Sequence, residues 1–304
     1  MATLADRVRT RPLGRASGGE RSPRAVLFLI ALWLCLFTGL VFLVVLIVQI
    51  LVDGAPRLDL ALITNYTSQL RPEQAGFRAA ILGTIWVMGC TTVLAIPLGV
   101  AAAIYLEEFA DNERWYTRLI EVNIQNLAAV PTIIYGLLTL GILSLLKPVL
   151  GFQNNNIVIG GGIALALLIL PVIIIATRES LRSVPAEIRA GSLALGATPW
   201  QTVWRQTLPA AVPGIATGTI IALSRAIGEA APLLLLGAAV FIRYDPDGLL
   251  SGFTTMPVQI YNLVSKPQEE LQTASAAGIV LLLVMLLLMN AVAVLIRNKF
   301  QRRW

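Results

Sequence analysis

Two opposite charges stand inside an apolar stretch. In "SRAIGEAAP", residues 224–232, Arg225 and Glu229 are flanked by AVPGIATGTIIAL on one side and LLLLGAAVFI on the other. Their i, i+4 spacing puts them on one face of a helix, close enough to pair. An arginine at mid-bilayer costs about 2.5–3.5 kcal/mol on insertion scales, and ionisable groups in such a place mark function by default. An ion pair that merely fixes the register between helices is the competing reading, although a pair used only for packing is usually replaceable by apolar residues. Small residues repeat at the same spacing, at Gly214, Gly218, Ala222, Ala226 and Ala230. On a helical wheel the charges fall within the arc of that row, and Ile220, Leu223 and Ile227 lie opposite. Such a row favours close helix approach. The charged face is therefore expected to point into a protein bundle, near the middle of its span.

Other chemistry is scarce. The chain has no histidine, which removes the commonest general base and the usual zinc ligands. It carries no P-loop, no G-x-S-x-G elbow and no C-x-x-C, so no enzymatic role, cofactor or metal is expected in this chain. Cys35 and Cys90 lie in apolar runs and read as small hydrophobes, not as a disulfide pair.

The elements that hold Arg225 and Glu229 are membrane spans. Of the 304 residues, 57% are hydrophobic and 13% charged, against about 45–50% and about 25% in soluble domains. A span needs about 20 apolar residues. Six candidates emerge, at 26–51, 79–105, 124–146, 157–177, 211–241 and 274–296. The fold class expected is all-α membrane. With the N-terminus inside, the inside segments carry 16 Lys and Arg against six outside, a positive-inside bias. Both termini are then cytoplasmic, and the net charge of +6 is explained without nucleic acid. Residues 1–25 read as a disordered basic tail, 26–51 as an additional N-terminal helix, and 75–300 as the main membrane domain.

The longest inside segment, 178–210, is expected to hold two short helices meeting near Gly196. Pro185 fits the first position of one helix and Gly196 a stop. Thr198 can cap a second helix that starts at Pro199. Pro209 and Pro213 are expected to break the run before the fifth span. Trp200 and Trp204 share one face. By itself this is an amphipathic elbow held against lipid headgroups or a partner protein.

Here the sequence resembles a family. The loop is similar to the EAA loop of ABC-importer permeases: Ala190-Gly191-Ser192 stand at the triplet, Gly196 at the glycine, and Leu208-Pro209 close the motif. The leading Glu of the triplet is absent and Glu187 is the nearest acid. The run Ala222, Arg225, Gly228, Glu229, Ala231 and Pro232 resembles the signature of phosphate-importer permeases, and residues 83–110 and 126–138 resemble the PstA-type subunit. The resemblance implies the type I ABC-importer permease fold, with residues near 186–200 as a coupling helix. It also implies a second, PstC-like permease subunit, two ATP-binding subunits that bind the ATP, and an extracytoplasmic phosphate-binding protein, in a bacterial plasma membrane. It further implies that Arg225 meets the anion, since a guanidinium suits oxyanions, while Glu229 holds it in the empty state.

Overall fold

The computed structural model describes residues 23–111, 113–152, 154–238 and 241–300. Most of the expected basic tail, residues 1–22, and the C-terminal Arg302 and Arg303 lie outside them. The chain divides into two compact units at Gln49/Ile50. The first unit contains most of α1 (Pro23–Gly54), an apolar helix of 32 residues.

The second unit is helical among the described residues. After α1 come α2 (Leu60–Thr64), α3 (Arg78–Ile104), α4 (Trp115–Ala128), α5 (Thr132–Leu150) and α6 (Val158–Arg182). Then follow α7 (Ala186–Ala194), α8 (Pro199–Thr202), α9 (Leu208–Ile227), α10 (Ala231–Leu235), α11 (Met256–Val264) and α12 (Glu269–Phe300). Among the described residues, six helical stretches are long and apolar enough to cross a membrane: Pro23–Arg57, Arg78–Phe109, Thr132–Val149, Val158–Arg182, Pro199–Ile227 and Glu269–Lys299. The all-α fold with six spans is the one expected, but two of the spans differ from the sequence reading.

The third span starts at Thr132, not near 124. Pro131, with an extended backbone, separates it from α4. The residue before a proline, here Val130, is disfavoured in the helical region, so α4 ends before it. The fifth span is shifted further. It runs from Pro199 to Ile227, where 211–241 was expected. Pro209 and Pro213 do not break it. A π turn at Val203–Thr207 precedes Pro209 and lets the Leu208 amide donate to the Val203 carbonyl, so the ring is accommodated by local widening of the helix. The segment between α6 and this span is correspondingly shorter than 178–210.

The core of the second unit is the crossing of α3 and α6, which small residues bring close. A Cβ on Gly162 would run into Cys90, and one on Gly99 into Ile173. Thr91 donates to the Gly162 carbonyl at 3.3 Å. Helix α9 lies against α6 through Gly214 on Ser180 and Gly218 on Ala176. Helix α12 meets α9 through a hydrogen bond from Ser224 to Asn290, 2.6 Å. Both cysteines are free.

Residues 183–207 form one end of the bundle, the elbow end. The opposite end is closed by built structure where sequence reading saw only loops. Arg57 donates to the carbonyls of Pro72, Glu73 and Ala75. Asp59 caps α2 by accepting from the Leu62 amide. Fully buried Phe77 sits where a Cβ on Gly278 would collide with it. Helix α11 is drawn inward: the Met256 amide donates to Thr84 Oγ1 at 2.9 Å, and Gln259 donates to the Gly76 carbonyl.

Candidate functional site

Arg225 occupies the last turn of α9, and Glu229 lies just beyond its end. The helix stops at Ile227, Gly228 follows, and α10 restarts at Ala231. Arg225 Nε is 3.7 Å from Glu229 Oε1, so the expected pair is present. Its setting is not the expected one: the pair marks a break in the helix, not the middle of one. Glu229 lines a narrow cleft of about 10 Å³ with Thr84, Val87, Met88, Leu165, Ala226, Ile227, Leu233 and Thr255, room for one water at most. Val87 is nine residues from the start of α3 and Leu165 seven from the start of α6. At 1.5 Å per residue the break therefore lies roughly 10–14 Å below the far ends of those helices. Irregular backbone at such depth is tolerated only when it is buried in protein or lines a cavity.

The faces of α9 also differ in part from the wheel. Ala222 and Ala226 are buried, as the small row requires, but so is Ile227. The exposed row is Thr217, Ile221 and Arg225. Arg225 thus flanks the packed row; its side chain is 49% exposed, against 21% for Glu229. The close contacts of α9 with α6 run through Gly214 on Ser180 and Gly218 on Ala176, and the row beside them is left outward.

At the other end of α9, about 25 Å away along the helix, the elbow is built as its residues direct. Helix α7 starts at Ala186, one residue later than the Pro185 spacing predicts, and ends before Gly196, whose φ of +83° only glycine adopts easily. Thr198 accepts from the Gln201 amide while the Gln201 side chain accepts from the Thr198 amide, a full capping box. The second helix is not a short separate piece; it runs on through the π turn into α9. Glu187, Ala190 and Gly191 are exposed along α7, and Ser192 is hydrogen-bonded to Thr202 at 2.9 Å. Leu208 and Pro209 open α9, and Leu208 packs on a buried cluster of Ile104, Leu181, Val184, Val203, Ala211 and Ile215. Gly196 and the α7 residues are therefore together, whereas Arg225 and Glu229 form a separate centre. Leu195, at the bend, is 91% exposed. Trp200 stacks near Trp204 (5.4 Å between ring centroids) and near Phe109 (5.8 Å).

Beneath the elbow is a charged cluster that sequence reading missed. Helix α3 continues into a π turn at Tyr105–Phe109, which carries Glu107 and Glu108. Glu107 takes Arg178 at 3.0 Å and Arg182 at 2.7 Å, both from α6. Arg178 also donates to Glu121 of α4. Glu108 takes Arg189 of α7 side-on, at 2.7 and 3.4 Å, and Arg189 further donates to the carbonyls of Leu181 and Val184, 2.8 Å each. The signal was present: Arg178 and Arg182 sit at i, i+4, and "LEE" lies in the neighbouring segment on the same side. Counting Lys and Arg for orientation treated these arginines only as flanking charge.

Residues 95–304 match the family described as "Binding-protein-dependent transport system inner membrane component". The chain belongs to that family. It is a multi-pass inner-membrane permease component of such a transport system, and ATP hydrolysis belongs to a separate subunit. Among its relatives is "Phosphate transport system permease protein PstA 1" of Mycobacterium tuberculosis (strain CDC 1551 / Oshkosh), 34% identical over 78% of this chain and 77% of that protein. "Phosphate transport system permease protein PstA" of Yersinia pestis is 31% identical over 84% of this chain and 83% of that one. Among solved structures, a bacterial ABC transporter involved in the import of alginate superposes with a TM-score of 0.63. It covers 92% of this chain and 98% of that one, at 18% identity. The MetNI methionine ABC transporter in an inward-facing conformation gives 0.52 over 75% and 95%, at 19% identity. These likenesses establish the expected ABC-importer permease fold and say nothing of substrate.

Proposed function

We propose that this chain is the PstA-like permease half of an ATP-driven phosphate importer, moving inorganic phosphate by alternating access. The observation that carries the substrate is the relationship at 31–34% identity to proteins named as phosphate permeases, joined to one arginine–glutamate pair at a helix break inside the bundle. In this reading residues 75–300 form the permease domain, 26–51 an added N-terminal helix and 1–25 a cytoplasmic tail. Both termini are cytoplasmic and the elbow end faces the cytoplasm. Two ATP-binding subunits dock on the cytoplasmic loops of the two permeases, one of them on this elbow through Glu187, Ala190, Gly191, Ser192 and Gly196, with Leu208 and Pro209 anchoring its base. A PstC-like second permease completes the pathway beside the exposed row of α9, and an extracytoplasmic binding protein delivers phosphate at the far end.

The Arg225–Glu229 pair acts as a latch. At 3.7 Å and without a hydrogen bond between them, the two groups leave the fork of the guanidinium available for a bidentate oxyanion. Phosphate displaces Glu229 from Arg225. The cleft beside Glu229 holds no more than a water, so passage requires α10 and the end of α9 to move apart.

The test is phosphate uptake by the complex reconstituted from all its subunits. Arg225→Gln is expected to lower uptake at least tenfold, the order expected for a lost charge-assisted hydrogen bond, with ATP hydrolysis retained. Glu229→Gln is expected to alter the dependence of uptake on phosphate concentration. Normal transport by both variants makes the pair structural.

A further inference from the structure

The two neighbouring carboxylates of the α3 π turn point to different elements. Glu107 binds the end of a membrane-spanning helix, through Arg178 and Arg182 of α6. Glu108 binds the elbow helix, through Arg189 of α7. Successive residues in a helix differ by about 100° in direction, and this divergence is what lets one turn hold two partners. The centre of the cluster is largely out of solvent, with the side chains of Glu108, Arg178 and Glu107 9%, 11% and 15% exposed, while Arg182 at its edge is half exposed. Charges this buried are held only where partners satisfy them. The side-on fork of Arg189 meets Glu108, and its remaining donors reach the last turn of α6 and the connection that follows it. Arg189 thus ties α7 to α3 and α6 at once. Elsewhere α7 has no buried residue, so apolar packing does little to fix it to the bundle.

From this geometry we infer that the Glu108–Arg189 pair, braced by Glu107 with Arg178 and Arg182, is the strut that transmits motion of the elbow helix to α3 and α6. It is a positioning device. None of its members is near Arg225, and none of the elbow's exposed outer residues belongs to it. A force on α7 reaches the α3–α6 crossing through side-chain ion pairs in addition to the covalent turn at Ser183–Pro185. Without the strut, α7 can tilt on that turn while the spans stay put. Hydrolysis by a docked subunit would then run without moving the pathway.

This inference rests on the importer reading, and the experiment separates the two. The full complex is reconstituted with wild type, E108Q, R189Q and the double variant, and phosphate uptake and ATP hydrolysis are measured in the same vesicles. The expected result is intact copurification of all subunits, hydrolysis retained, and phosphate moved per ATP lowered roughly three- to thirtyfold, the range over which mutations modulate coupling. The double variant should be no worse than the more affected single one, the non-additivity of two groups acting through one contact. Four outcomes overturn the strut: an unchanged transport-to-hydrolysis ratio, parallel loss of both activities, additive effects, or dissociation of the ATP-binding subunits. If wild type itself shows no ATP-driven phosphate uptake, the importer reading fails, independently of what the variants do.

Discussion

A guanidinium in the last turn of a helix experiences different physics from one in its middle. The carbonyls that end α9 present partial negative charge, which favours a cation there by about 0.3–1 kcal/mol. Arg225 thus has two sources of support, the helix end and Glu229, and neither holds it as tightly as a hydrogen-bonded fork would. At the same scale, glycines divide into those that allow contact and those that do not. A Cβ on Gly218 would collide with the Cβ of Ala176, whereas one on Gly141 of α5 meets nothing within 4 Å. Gly218→Ala is expected to lower stability by about 1–3 kcal/mol through overpacking of α9 on α6. Gly141→Ala should be neutral or slightly stabilising, by about 0.4–1 kcal/mol. Thermal unfolding in detergent compares them, and equal melting temperatures would argue against close α6–α9 packing.

At the scale of elements, the two ends of the bundle are held by different means. The elbow end uses a capping box, a left-handed glycine and the partly buried ion pairs. The far end uses backbone carbonyls clasped by Arg57 and a second clasp in which Arg78 meets Asp245 at 2.5 Å and Tyr66 donates to the same carboxylate at 3.1 Å. The Arg78 guanidinium holds the Asp245 carboxyl below its ordinary range, with burial opposing it in part. Burial, and then the hydrogen bond to Asp245, push the Tyr66 phenol up. A carboxyl depressed in the folded state contributes stability that is fully present above its unfolded value, about 3.9, and is lost as pH falls through the lower folded value. The clasp between residues 66–78 and 245 should hold at pH 7 and loosen only in strong acid. In Asp245→Asn, amide exchange across 62–78 at pH 7 should rise. Exchange there that matches wild type would show the clasp to be dispensable.

At the scale of the molecule, the exposed row Thr217, Ile221 and Arg225 decides how the chain is completed. Ile221 is 62% exposed. An arginine in that row is costly against lipid, so a second permease chain is expected to cover it. In a Cys35→Ser, Cys90→Ala background, Ile221→Cys should react with a membrane-soluble maleimide when this chain is purified alone and be protected in the assembled complex. Equal labelling in both would place the row in lipid.

Much of this protein could be read from residues alone. The six apolar stretches, the positions of Gly196 and Thr198, and the i, i+4 pairing of Arg225 with Glu229 follow from local rules: hydropathy, the glycine-only backbone region, side-chain capping and helical spacing. Each depends on a few neighbouring residues, so each is visible without the fold. Tertiary structure decided the rest. Pro209 looked like a helix breaker, but a π turn one step earlier absorbs it. Glu229 looked like part of a continuous helix, but the chain breaks at Gly228, where α10 turns back against α5: a Cβ on Gly136 would strike the Pro232 backbone. Glu107, Glu108 and Glu121 carry no sign of their partners in the neighbouring sequence, and only the meeting of α3, α4, α6 and α7 brings them to Arg178, Arg182 and Arg189 in a partly buried cluster. The physical reason is common to all three. The energy of a proline, a helix end or a charge depends on which groups surround it, and those groups come from segments distant in sequence.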